Sequence, residues 1–128
     1  MSLIKLDFSG VYEPELLSGD SEAQLQIIGM KEHTSDAGNE SLHIIFDCPE
    51  KPKVEDIHLY LGLPKDGDDD KVKNKKLLKF QKFCTCFGLD NDVDTESGIG
   101  ATGWCIVSEK EDSQYGKKNE VKTFITGA

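Results

Sequence analysis

Apolar residues along most of the chain fall at every second position, and one stretch switches to helical spacing. The first alternating run, Ala23 to His33, carries Leu25 and Ile27 on one face and Ile28 and Met30 on the other. Gly29 in its middle predicts a bulge or sharp bend, of the kind small barrels use where one strand serves both halves. Thr34 to Glu40 has the Ser, Asp, Gly and Asn of a hairpin loop. In Ser41 to Cys48, Leu42, Ile44 and Phe46 alternate with His43, Ile45 and Asp47. Asp56 to Leu63 repeats the pattern, with Ile57, Leu59 and Leu61 toward a core and His58 and Tyr60 on the other face.

The spacing then changes. Leu77, Phe80, Cys84 and Phe87, with Phe83 beside them, make one apolar stripe and predict a helix over Lys71 to Phe87. The aspartates of the preceding turn, PKDGDDD, complement its start, and Gly88 stops it. Leu89 to Gly103 reads as a long polar loop. Trp104 to Ser108 and Val121 to Ile125 read as the strands of a final hairpin, with Tyr115, Gly116, Lys117, Lys118 and Asn119 near the tip of a polar loop. At the other end, Leu3 to Gly10 is a lead-in with Leu3, Leu6 and Phe8, and Pro14 allows only an edge or broken strand there.

The 128 residues suffice for one domain with its own core, and no linker or repeat divides residues 1–128. No segment approaches the roughly 20 apolar residues that span a bilayer, and no signal pattern opens the chain, so a soluble, cytoplasmic protein without membrane contact is expected. The four cysteines, Cys48, Cys84, Cys86 and Cys105, are then expected to be reduced, small and half-buried. Cys84 and Cys86 sit two apart on the helix and point about 200° away from each other, which sets them against sharing a metal.

A net charge of −9 excludes polyanion binding by the whole surface but leaves a local basic groove open. Every one of the 15 positive residues is lysine, so contacts to phosphate would be made by point charges and not by the bidentate fork that reads guanine. The helix concentrates Lys71, Lys73, Lys75, Lys76, Lys79 and Lys82, either as a solvated face or as a stripe toward a polyanion.

Catalytic arrangements are missing from the sequence pattern. The aspartates at 66, 68, 69 and 70 lack the glycine-then-glutamate spacing of a calcium hand and read as a helix cap. His33, His43 and His58 each stand alone on a strand, without a serine or cysteine in a nucleophile arrangement. Gly98, Gly100 and Gly103 do not form a dinucleotide fingerprint. No catalytic residue, metal ligand or cofactor is assigned.

What remains is lysine and aromatic rings on strands and loops, the two ingredients of a single-strand binding surface. The candidates are Lys31, Tyr60, Lys110, Tyr115, Lys117, Lys118, Lys122 and Phe124. In the last strand two assignments stand. Either Val121, Thr123 and Ile125 face the core and Lys122 and Phe124 look outward together, or Phe124 lies inside and the lysines act without it. Trp104 faces the same choice between core and surface, with the core favoured, and Tyr60 and Tyr115 are assigned to the surface.

Strands, a long bent hairpin, a helix and a closing hairpin follow one another in the order of an OB-fold: a mainly β, five-stranded Greek-key barrel with its helix between the third and fourth strands. The chain also resembles a family of small phage-encoded OB-fold single-stranded DNA-binding proteins, first described as a domain of unknown function. The likeness lies in Gly10, Val11 and Tyr12, the hairpin QIIGMKEHTSDAGNESLHIIF, the lysine-rich helix ending in Phe87 and Gly88, and the run from Tyr115 to Phe124. It implies sequence-independent binding of single-stranded DNA in phage replication or recombination, within the host cytoplasm and alongside other replication or recombination proteins. A homo-oligomer is left open. Two rivals stand beside it: a non-catalytic adaptor module of a phage or bacterial assembly, and a metal-dependent nuclease built on the acidic loops.

Overall fold

The computed structural model describes residues 3–90, 93–114 and 116–126. Five strands, β1 (Ser21–Thr34), β2 (Glu40–Asp47), β3 (Ile57–Gly62), β4 (Thr102–Asp112) and β5 (Gly116–Phe124), form one antiparallel sheet in the order β3-β2-β1-β4-β5. The helix α1 (Asp70–Phe87) lies between β3 and β4. The architecture is mainly β and OB-like. The sheet is not hydrogen-bonded into a closed barrel, although its outer strands β3 and β5 come into contact.

β1 makes the curvature possible. Its first half, from Ser21 to Gln26, pairs with β4, and from Gln26 to Thr34 it pairs with β2. Between them the register slips, with Ile27 opposite Phe46 and Gly29 opposite Ile45, so Ile28 is the extra residue of a bulge. Leu25 and Ile27 face inward before the bulge and Met30 after it, so all three are buried. The alternation expected from the sequence placed Met30 on the opposite face to Leu25 and Ile27, and the bulge is what brings it back. Ser35 and Gly38, the latter at φ 83°, close the β1–β2 hairpin.

The inward faces of the sheet and one side of α1 share a single core that includes Leu25, Ile27, Ile44, Phe46 and Val107. From the helix, Phe83 and Phe87 enter it and meet Phe46 and Phe124 at ring-centroid distances of 5.3 to 6.3 Å. Each such ring stabilises the fold by roughly 1.5–3 kcal/mol through burial. Gly103 of β4 lets the helix end approach, because a Cβ there would lie 2.8 Å from the Cys86 carbonyl oxygen and 3.1 Å from the Phe87 ring. Asp69 caps the helix by accepting the Val72 N–H at 2.8 Å. Gly88, at φ 68°, ends it in a left-handed turn in which the Leu89 N–H reaches the Cys84 carbonyl at 2.8 Å.

The apolar stripe predicts α1 and is itself only partly covered: Phe83 and Phe87 are buried, Phe80 and Cys84 are half-buried, and Leu77 is exposed. One expectation needs correction. The final hairpin has no long loop, since β4 and β5 stay paired out to Asp112 opposite Gly116. Charged residues alternate on both faces of its far end, so no apolar period marks it as strand. Asn119, expected near a loop tip, is a buried strand residue. Its side chain accepts the Leu17 N–H at 2.8 Å and donates to the Leu17 carbonyl at 2.9 Å, tying the segment before β1 to β5.

Candidate nucleic-acid interface

The bulge in β1 fixes what appears on the outward face of β1, β2 and β3. After it, Gly29, Lys31 and His33 point outward and stand opposite Ile45, His43 and Ser41 of β2. Those three in turn stand opposite His58, Tyr60 and Gly62 of β3. The central row is therefore Lys31, His43 and Tyr60, one residue from each strand, with His33 and His58 in the flanking rows.

Side-chain contacts bind these rows together. The Tyr60 ring lies parallel to His43, 4.3 Å between centroids and 6° between planes, and His33 meets Tyr60 edge-on at 5.3 Å. His43 Nε2 and His58 Nδ1 share a hydrogen bond of 2.9 Å, and the two rings are stacked. His43 is only 7 % exposed, whereas Tyr60 remains 52 % exposed. The buried imidazole thus backs an accessible phenol ring. Burial holds the His43 pKa below its ordinary value, reinforced by His58, Lys31 and His33, so its neutral form is favoured.

The same face runs into a cavity of about 670 Å³ where His33, Ser41 and Tyr60 meet Asn39, Lys65 and Lys76. Lys65 Nζ donates to Asn39 Oδ1 at 2.7 Å and so joins the β1–β2 loop to the β3–α1 loop. Asp68 accepts from Lys76 Nζ at 2.8 Å and from the Lys65 N–H at 3.0 Å, and these partners hold its carboxyl below the usual carboxylate range. Lys76 is thereby neutralised within the fold. At the far end of the face, Asp47 has a buried Oδ1 without a hydrogen-bond partner, and burial and Asp56 push its pKa up. The face runs from Asp47 at one end, through Lys31 in the central row, to Lys65 at the other, where Glu40 and Asp68 also stand.

Of the residues expected from the sequence, Lys31 and Tyr60 are brought together and the others are not. Phe124 is core, 8 % exposed against Phe83 and Phe87, so the assignment with Phe124 inside holds and it presents no ring for stacking. Lys110 stands opposite Lys118 and lies 3.9 Å from Glu120. Lys117 stands opposite Glu111, one position along and so on the other face of the hairpin. Lys122 is the extra residue of a bulge in β5 and bonds Asp20 at 3.2 Å. Tyr115 lies outside the described residues. These lysines belong to paired strands, not to a loop, and do not converge on one surface.

The sequence pattern does not single out His33, His43, His58 or Lys65, and for Trp104 it favours the core. Trp104 in fact looks outward opposite Gln24, 42 % exposed. The histidines gave one usable signal, the alternation that put His58 beside Tyr60 on the outer face of β3. Among the described residues no three His, Cys, Asp or Glu side chains are placed to hold a metal ion, and no helix is long and apolar enough to cross a membrane. No protein-family model matches the chain and no curated protein sequence is found similar to it, so the chemistry of this surface rests on its own residues.

Proposed function

We propose that the protein binds single-stranded DNA without sequence preference, through the outward face of β1, β2 and β3. The observation that carries this reading is the row Lys31–His43–Tyr60, in which an exposed ring is held flat by a buried one beside a lysine. A base stacks on Tyr60, and Lys31 and Lys65 neutralise neighbouring phosphates. Unpaired bases offer their flat faces to such a ring, whereas duplex bases are stacked on each other. With lysine as the only cation apart from histidine, the contacts follow the backbone and read no bases. A role in phage replication or recombination, as the family resemblance implies, goes with this reading.

Fluorescence anisotropy of a labelled oligothymidine tests it. Binding is expected at low salt and should weaken as salt rises, because released counterions drive association. Absence of binding at tens of micromolar protein in low salt overturns the proposal. An adaptor role draws on a different observation, the exposed apolar run from Leu3 to Tyr12, and does not compete for this face.

A further inference from the structure

Among the described residues, two apolar surfaces are left without cover, and they are complementary. The first is the segment before Pro14, where Leu3 is 90 % and Phe8 is 70 % exposed and Ile4, Leu6 and Val11 are exposed too. Its fixed point is the parallel bridge of Glu15 beside Val54, where the Glu15 N–H donates to the Lys53 carbonyl at 2.9 Å and the Glu55 N–H donates to the Glu15 carbonyl at 2.8 Å. Fully extended, residues 3–14 reach roughly 40 Å from that point, more than enough to reach a neighbouring molecule. The second is a groove on α1, a cavity of about 670 Å³ lined by Leu77, Leu78, Phe80 and Cys84 of the helix and by Leu89 and Val93 of the following loop. None of residues 3–13 lines that groove.

We infer that the segment of residues 3–13 of one copy docks in the α1 groove of a second copy. Charge selects this occupant. The helix displays Lys71, Lys75 and Lys82, all exposed, and has no acid after Asp70, so two helices laid groove to groove would oppose like charges. The segment brings Leu3, Ile4, Leu6 and Phe8 together with Asp7 and Glu13 against the single cation Lys5. Apolar side chains fill the groove and carboxylates meet its lysines. The groove volume lies within the roughly 300–1,000 Å³ typical of sites that enclose organic groups. Because segment and groove are different patches, the contact is head-to-tail, and each added copy offers a fresh groove or a fresh segment.

Sedimentation velocity of the full chain without DNA tests this, from low micromolar to near-millimolar concentration. The wild type should gain mass continuously with concentration, past the dimer. Leu6→Asp with Phe8→Asp removes the apolar segment, and Leu77→Asp spoils the groove. All three positions are exposed, so thermal melting by circular dichroism should show unchanged folding. Each variant alone should stay monomeric. An equimolar mixture of the two should form a dimer and nothing larger, since one intact segment meets one intact groove. A wild type that is monomeric throughout, a variant that assembles like the wild type, or a mixture that stays monomeric each overturns the inference.

Discussion

His43 and His58 share a hydrogen bond, Nε2 to Nδ1 at 2.9 Å, on the face that also bears Tyr60. One of the two nitrogens must donate and the other must accept, so the bond survives a single proton added to the pair and not a second. Lys31, His33 and His58 all surround His43, and Tyr60 covers its ring. Adding charge there is opposed from each neighbouring strand.

This predicts a pH dependence of stability. In the unfolded chain His43 titrates near its ordinary 6.5, and in the folded chain lower. Its contribution to stability is therefore complete above that ordinary value and is lost as pH falls from it through the lower folded-state value. Melting temperatures measured across pH 5 to 8 should decline toward acid, and His43→Phe, which keeps a ring against Tyr60 but cannot titrate, should flatten the decline. An unchanged slope in the variant would assign the decline to other groups.

Tyr60→Ala removes the exposed ring and leaves the core intact. Base stacking on an aromatic side chain contributes roughly 1–3 kcal/mol, so affinity for oligothymidine should fall about 5- to 150-fold. Tyr60→Phe should retain most of it. Equal affinity for the alanine variant would show that bases do not stack at this position.

Lys31 and Lys122 should behave differently although both are lysines of the sheet. Lys31 stands in the row with Tyr60, whereas Lys122 bonds Asp20 at 3.2 Å. Lys31→Ala is expected to weaken binding and lower the salt slope by about 1, as loss of one phosphate contact does. Lys122→Ala should leave both unchanged. Salt titrations of the two variants distinguish this from a diffuse electrostatic attraction.

Asn119→Leu tests the tie between β5 and the segment before β1. It leaves the Leu17 N–H and carbonyl without the partners that now lie at 2.8 and 2.9 Å. Each buried group left unsatisfied costs about 1–3 kcal/mol, so urea denaturation should show a clear loss of stability while the far-ultraviolet spectrum is unchanged. A variant as stable as the wild type would mean that water replaces the amide there.

The parts of this fold that could be read from the sequence are those where local pattern and tertiary role coincide. Alternation in β3 names its inner face correctly, and the aspartates and Gly88 bracket α1 to within a residue of its observed limits. The OB-like order of elements follows from those patterns. The outer paired portion of β4 and β5 is hidden because Glu109 to Glu120 has polar residues on both faces, so no apolar alternation marks the pairing there. The histidine and tyrosine cluster was hidden for another reason. His33, His43 and His58 become neighbours only through cross-strand register, and the register after Ile27 depends on the one-residue bulge at Ile28. Gly29 marks the bulge in the sequence, but spacing along the chain does not say which residues it brings into register.

The meeting of β3 and β5 without ladder hydrogen bonds gives the molecule a seam. Elsewhere in the sheet neighbouring strands are joined by a series of backbone bonds, but along this line no such ladder runs among the described residues. The helix fastens what no ladder joins: the Phe87 ring meets Phe46 of β2 on one side and Phe124 of β5 on the other, so closure of the sheet depends on the aromatic core.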